Sequence, residues 1–170
     1  TNKKSAAFDF QFRYNVRDAI GVKDNKIVSS PNWSKLKSDY NLMHDPVYRQ
    51  YAITFVENHD MQYRSKDEPL DPLKRDTLAA NAYMLAMPGT PCVFQPHWRA
   101  YKQEIKSMIE ARKLAGITNM SNYTNKMAQT ACFANETTGN KAKLIVVVGN
   151  KTKAYTPSAD YTQILEGYQG

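Results

Sequence analysis

Ala52-Ile53-Thr54-Phe55-Val56-Glu57-Asn58-His59-Asp60 is the stretch that decides the fold. Its first five residues form a continuous, largely apolar and β-branched run of strand length, as expected for a parallel strand covered on both faces. The run breaks off into four polar residues. Downstream, Asp71-Pro72 reads as a helix start, a side-chain cap followed by proline at the first helical position. Leu78, Ala82, Leu85 and Ala86 supply that helix's apolar stripe, and Pro88-Gly89 stops it. Pro91-Cys92-Val93-Phe94 reads as a second short strand. Trp98, Tyr101, Ile105, Met108, Ile109 and Arg112 then recur at spacings of three and four, and Gly116 ends that helix. Upstream, Phe8, Phe10 and Phe12 alternate with polar residues as in a strand, while Phe12, Val16, Ala19 and Ile20 fall at helical spacing up to Gly21. Residues 23 to 46 read as mostly loop with one short helix. Strands alternating with helices imply βαβ units and a parallel sheet, an α/β fold.

After Gly116 the pattern changes. Residues 118 to 130 are polar, and Lys143 to Val148, Ala154-Tyr155-Thr156 and Tyr161 to Leu165 are short strand patterns separated by turn signals. An antiparallel β module is expected from near residue 125 to the end.

The chain has 170 residues, too few for a complete eight-fold β/α barrel, which takes about 250. The hydrophobic fraction of 42% beside 23% charged residues is that of a globular chain rather than a disordered one. Its uninterrupted apolar runs, such as Leu144 to Val148, are far short of the roughly 20 residues of a membrane span. The net charge of +7 invites a nucleic-acid reading. The basic residues are scattered over both ends as single lysines and short pairs, however, and no arginine-rich run or aromatic RNA-reading signature accompanies them, so a solvated basic surface is the expectation. Cys92 and Cys132 form no Cys-x-x-Cys and have no paired histidines nearby, which argues against zinc. Cys92, in an apolar stretch, reads as a buried free thiol.

A polar cluster at the C-terminal end of a buried parallel strand is where α/β folds place their active sites, because the strand ends converge on one face. Glu57, Asn58, His59 and Asp60 occupy that position. Asp60 is suited to stabilise positive charge, accept a proton or bind a sugar hydroxyl, and His59 to donate a hydrogen bond. The plainer alternative is that Asn58 and Asp60 cap the following turn.

These residues also carry a family resemblance. Thr54-Phe55-Val56-Glu57-Asn58-His59-Asp60 resembles the segment ending the seventh strand of α-amylase-type glycoside hydrolases, usually a variant of F-V-D-N-H-D. Phe8 to Tyr14 is similar to the family's sixth strand, Ala82 to Phe94 to its seventh helix and eighth strand, and Lys102 to Gly116 to its eighth helix. The resemblance implies a partial (β/α)8 TIM barrel of about the last three β/α units over residues 1–117. Residues 118–170 would then be part of the antiparallel β domain that follows. It implies a fragment of an enzyme that cleaves α-glucan (starch-type) bonds with retention, through two carboxylates about 5 to 5.5 Å apart. Asp60 matches the third carboxylate, which holds the distorted sugar, and His59 matches the histidine that hydrogen-bonds the same sugar, with Asn58 beside them as a substrate contact. Tyr63, His97 and Trp98 are further candidates for sugar contact, although Trp98 also fits the apolar stripe of its helix.

The nucleophile and acid/base have no counterparts. No arginine here has an aspartate two positions on, and no Glu-x-Trp occurs. The resemblance assigns both to strands before Thr1, so this chain alone is expected to be inactive. Met61 and Gln95-Pro96-His97-Trp98 depart from the family pattern. No cofactor is expected in this chain, with calcium admissible in the intact parent. The expected partners are the α-glucan and either a second copy of the chain or the missing N-terminal part of the barrel. Family habit points to export, extracellular or periplasmic. A non-catalytic α-glucan-binding module is the alternative class.

Overall fold

A computed structural model describes residues 5–62 and 70–167. Strand β1 (Ala7–Phe8) leads into helix α1 (Phe10–Ala19). The phenylalanine alternation thus ends after one strand residue, because Asp9 is a helix cap. One of its carboxylate oxygens accepts the Phe12 N–H at 3.0 Å, and the other accepts the Met43 N–H at 2.8 Å. Capping by aspartate outweighs a two-residue strand preference, and Phe12 is buried on the helix instead. Gly21 (φ +72°) ends the helix in the left-handed region. A two-stranded hairpin follows, β2 (Val22–Lys23) with β3 (Lys26–Ile27), where a loop is expected. Asp24 and Asn25 both take positive φ there, 46° and 60°, the signature of a tight hairpin turn.

After short 3₁₀ turns at Trp33–Leu36 and Arg49–Tyr51 comes β4 (Ala52–Thr54). The single-turn α2 (His59–Gln62) and α3 (Thr77–Ala86) follow, then β5 (Thr90–Pro91). The order β1-β4-β5 is parallel throughout, with Phe8 opposite Ile53 and Ile53 opposite Thr90. One face of this sheet is closed: Ala52 and Val56 are buried in a core with Phe12, Val16 and Met84. The opposite face is open. Phe8 is 50% exposed, and Thr90 and Cys92 are exposed. The strands are therefore not covered on both faces as the apolar run suggests, since among the described residues the helical side chains of the core gather behind one face only. Cys92 is an exposed free thiol rather than a buried one, because β5 stops at Pro91 and leaves the thiol beyond the strand end on the open side.

Asp71 does not cap a helix. Its Oδ2 receives Arg17 Nη1 at 3.0 Å and Arg13 Nη1, its carbonyl receives Arg13 Nη2, and its Oδ1 accepts the Asp24 N–H at 3.0 Å. A guanidinium buried without a partner costs far more than a cap contributes, so the carboxylate goes to Arg13, which is wholly buried. Helix α3 starts six residues later, behind Asp76, with no side-chain cap.

The last helical pattern is two helices, α4 (Gln95–Ala100) and α5 (Lys102–Ala115), broken at Tyr101. From α5, Arg112 reaches back to the carbonyls of Leu85, Met87 and Gly89 and satisfies the open C-terminal end of α3. Burial lowers its pKa to about 10. Gly116 (φ +71°) closes α5.

Strands β6 (Asn122–Gln129), β7 (Cys132–Thr138) and β8 (Lys143–Val148) form an antiparallel meander. It starts three residues before the expected position and ends at Val148. The segments 154–156 and 161–165 are not strands. The second is held by a side chain instead: Tyr161 donates its hydroxyl to the Glu136 carboxylate, which also faces Lys126 and Lys143, each at 3.3 Å. Phe12 stacks on Tyr83 at 5.3 Å, and Tyr83 meets the edge of Phe133 at 5.6 Å, so the meander shares the core of the α/β part. No helix among the described residues is long and apolar enough to cross a membrane.

The Glu136 cluster predicts a pH dependence. The Tyr161 hydrogen bond and the two lysines hold the Glu136 carboxyl below its usual value, against the desolvation that raises it. A depressed folded pKa contributes stability at pH values above about 4.3, lost as pH falls through the folded value. Tyr161 is pushed up to about 12, first by desolvation and then by Glu136, so its share is lost as pH rises from about 10. In urea titrations the native chain should lose stability below pH about 4 more steeply than Glu136→Gln. Parallel profiles would refute this.

Candidate functional site

The site grows out of the end of β4. Thr54 gives its carbonyl to the Cys92 N–H at 2.7 Å, tying β4 to β5, and Phe55 and Val56 continue inward, both buried. The rings of Phe8 and Phe10 lie edge-on to Phe55 at 5.5 and 5.1 Å and cover it from the β1 side. The chain then turns outward through α2, where the Met61 N–H bonds the Asn58 carbonyl at 3.2 Å.

This turn separates the four polar residues. The Glu57 side chain is 1% exposed, whereas His59 and Asp60 are 83% and 59% exposed, with His59 Nε2 at 3.1 Å from Asp60 Oδ1. Asn58 lies between, half-buried, its Oδ1 shielded from solvent without a hydrogen-bond donor among the described residues. Asn58, His59 and Asp60 are thus gathered at the C-terminal end of the middle parallel strand. His97 is not with them. It lies behind, its Nε2 at 2.8 Å from Glu57 Oε2 and its Nδ1 at 3.2 Å from Asn81 Nδ2. Trp98 packs against the hydrophobic core. Tyr63 lies outside the described residues.

Three residues of this arrangement escape a sequence reading: Glu57 as a buried acceptor, Gln62, whose amide reaches Glu57 Oε1 at 3.1 Å, and Asn81. The one local signal is Glu57 itself, a carboxylate directly following the apolar run that ends at Val56. Further in, burial lowers the pKa of Arg13, while Asp71 and, more weakly, Glu57 oppose that shift. Among the described residues no three Asp, Glu, His or Cys side chains converge to hold a metal ion.

The fold and this cluster define an α/β protein that presents an exposed acid–imidazole pair at the end of a parallel sheet. No family model matches the chain. It is 37% identical over 83 residues to the glucan 1,4-alpha-maltotetraohydrolase of Stutzerimonas stutzeri, covering 43% of this chain and 14% of that protein. It is 33% identical over 101 residues to the alpha-amylase type B isozyme of Hordeum vulgare, covering 58% of this chain and 62% of that one. The solved structure of AmyP in complex with maltose superposes with a TM-score of 0.60 at 15% identity, over 85% of this chain and 39% of AmyP. A variant of AmyP in complex with maltotriose gives a TM-score of 0.63 at 14% identity, over 85% of this chain and 40% of that one. The chain is thus similar over part of its length to proteins named as a maltotetraohydrolase and an alpha-amylase, and it spans less than two thirds of the length of each of these proteins.

Proposed function

We propose that this chain supplies the last three β/α units of a (β/α)8 barrel in an enzyme that hydrolyses α-glucans with retention, residues 118–170 belonging to the β domain that follows. The observation that carries the reading is the half-finished sheet. Three parallel strands, with β1 and β5 as its edges, leave one face open, and that face holds Phe8, Thr90 and Cys92. A parallel sheet of three strands is short of what closes a barrel, and the residues inside a closed barrel face one another rather than water.

In this reading Asp60 faces the sugar whose ring becomes oxocarbenium-like. Its charge opposes the developing positive charge, and a carboxylate also accepts hydrogen bonds from two sugar hydroxyls. His59, 3.1 Å away, donates to the same sugar and keeps the Asp60 carboxylate turned outward. The nucleophile and the acid/base come from strands outside this chain. The relatives' printed activities, maltotetraohydrolase and alpha-amylase, support a starch-type substrate.

Two outcomes test this. The 170-residue chain alone should release no reducing sugar from soluble starch; release abolished by Asp60→Asn would refute the assignment of the other two carboxylates elsewhere. In light scattering the same chain should run as a self-associated species, because open edges and an exposed apolar face template further pairing. A monodisperse monomer would contradict the open-barrel reading.

A further inference from the structure

Behind the exposed cluster a chain of buried polar groups runs through four elements. Glu57 follows β4, Gln62 ends α2, Asn81 lies in α3 and His97 in α4. Both Glu57 oxygens are taken: Gln62 Nε2 donates to Oε1 at 3.1 Å and His97 Nε2 to Oε2 at 2.8 Å. Asn81 Nδ2 donates to the Thr77 carbonyl at 2.8 Å and faces His97 Nδ1 at 3.2 Å. The Thr77 carbonyl only accepts, which fixes the Asn81 amide with its nitrogen toward His97. His97 Nδ1 must then accept, and the ring proton resides on Nε2, aimed at Glu57. Each bond in the series sets the direction of the next.

A carboxylate and an imidazole, 2% and 6% exposed as residues, are costly to bury and need a reason. The backbone supplies one. Glu57 directly precedes Asn58, and Gln62 closes the single turn that holds His59 and Asp60, so Glu57 grips this short, exposed segment at both ends. Isolated single turns of helix are not stable on their own. We propose that Glu57 and His97 are positioning residues that fix the direction in which Asn58, His59 and Asp60 present their side chains, coupling that segment to α3 and α4. The inference rests on the glucan reading only for what the segment presents to; the coupling itself stands on these contacts.

The experiment uses the full chain, with Glu57→Gln, Glu57→Leu and His97→Ala. A long-range imidazole nitrogen–proton spectrum of the native chain should show His97 protonated on Nε2 alone. Amide hydrogen exchange at residues 58–61 should accelerate at least tenfold in Glu57→Leu and His97→Ala, with the β7 amides of Phe133 to Asn135 unchanged. Glu57→Gln, which still offers an amide oxygen to His97, should restore most of the protection and keeps the test alive where Glu57→Leu fails to fold. Maltoheptaose affinity by calorimetry should fall about tenfold in step with the exchange. Unchanged exchange at 58–61, uniform acceleration over the whole chain, or a proton on His97 Nδ1 overturns the positioning role. A native chain with no affinity for maltoheptaose counts against the glucan reading alone, because the exchange and tautomer measurements still decide the coupling.

Discussion

Asp60→Asn, placed in a longer protein that carries this segment together with a nucleophile and an acid/base, should lower kcat on soluble starch by about 10² to 10³-fold. The substitution keeps the shape of the side chain and removes its charge. A sugar hydroxyl can still be bound by the amide, so KM should move much less than kcat, as expected of a group that acts most strongly on the transition state. The loss scales with charge because the proposed partner is an oxocarbenium-like ring, neutral in the ground state and positive at the barrier. The geometry favours a large effect: the carboxylate stands exposed at the strand end with His59 Nε2 3.1 Å away. Substrate covering that end would strip water from it and strengthen the interaction. His59→Ala should act mainly through KM, because it removes a ground-state hydrogen bond. An Asp60→Asn protein within tenfold of the parent kcat would overturn the role given to Asp60.

The second large effect concerns stability. Asp71→Ala should destabilise the fold by about 3 to 5 kcal/mol, the range for removing one partner of a buried ion pair. Asp71 is 6% exposed and answers two guanidiniums, one of them wholly buried. Its loss would leave Arg13 charged in the interior, with the Arg13 Nε already lacking a partner among the described residues. It would also free the Asp24 N–H and so the turn of the β2–β3 hairpin. Burial lowers the Arg13 pKa and Asp71 is the main influence raising it, so without that carboxylate the lowering is opposed only by the weaker pull of Glu57. A double variant, Arg13→Met with Asp71→Leu, should recover much of the loss, because the cost lies in the unanswered charge and not in the missing attraction. Chemical denaturation measures both. A single variant within 1 kcal/mol of the native chain would mean that water reaches Arg13.

The alternation of elements was legible from the sequence because it rests on local chemistry. The β-branched run before Glu57, the apolar stripe ending at Pro88-Gly89 and the left-handed glycines at 21 and 116 each act within a few residues. The gathering of Asn58, His59 and Asp60 at a strand end follows from the same reading, because the apolar run stops directly before them, although adjacent Glu57 turns inward. Where two local rules compete for the same residues, the fold chooses between them. Asp9 and the Phe8-Phe10-Phe12 alternation both laid claim to the same residues, and the cap prevailed. Asp24-Asn25 holds a hairpin signal inside a segment whose polar residues and prolines suggest mostly loop with one short helix.

What only the tertiary structure decided were the pairings between residues far apart in the chain. Asp71 looks like a helix cap until Arg13, 58 positions away, is folded beside it. His97 looks like a sugar contact until Glu57, 40 positions away, is folded to 2.8 Å from its Nε2. The open face of the parallel sheet is of the same kind, because a strand's sequence records that it is apolar and not which side is covered. Burial of charge is settled by what arrives from elsewhere in the chain, and a buried charge must find its partner wherever the fold brings one. So the sequence by itself determined the alternation of the main strands and helices and the placing of the acid–imidazole pair at a strand end, while the tertiary structure decided which polar groups stand exposed there and which lie buried behind them.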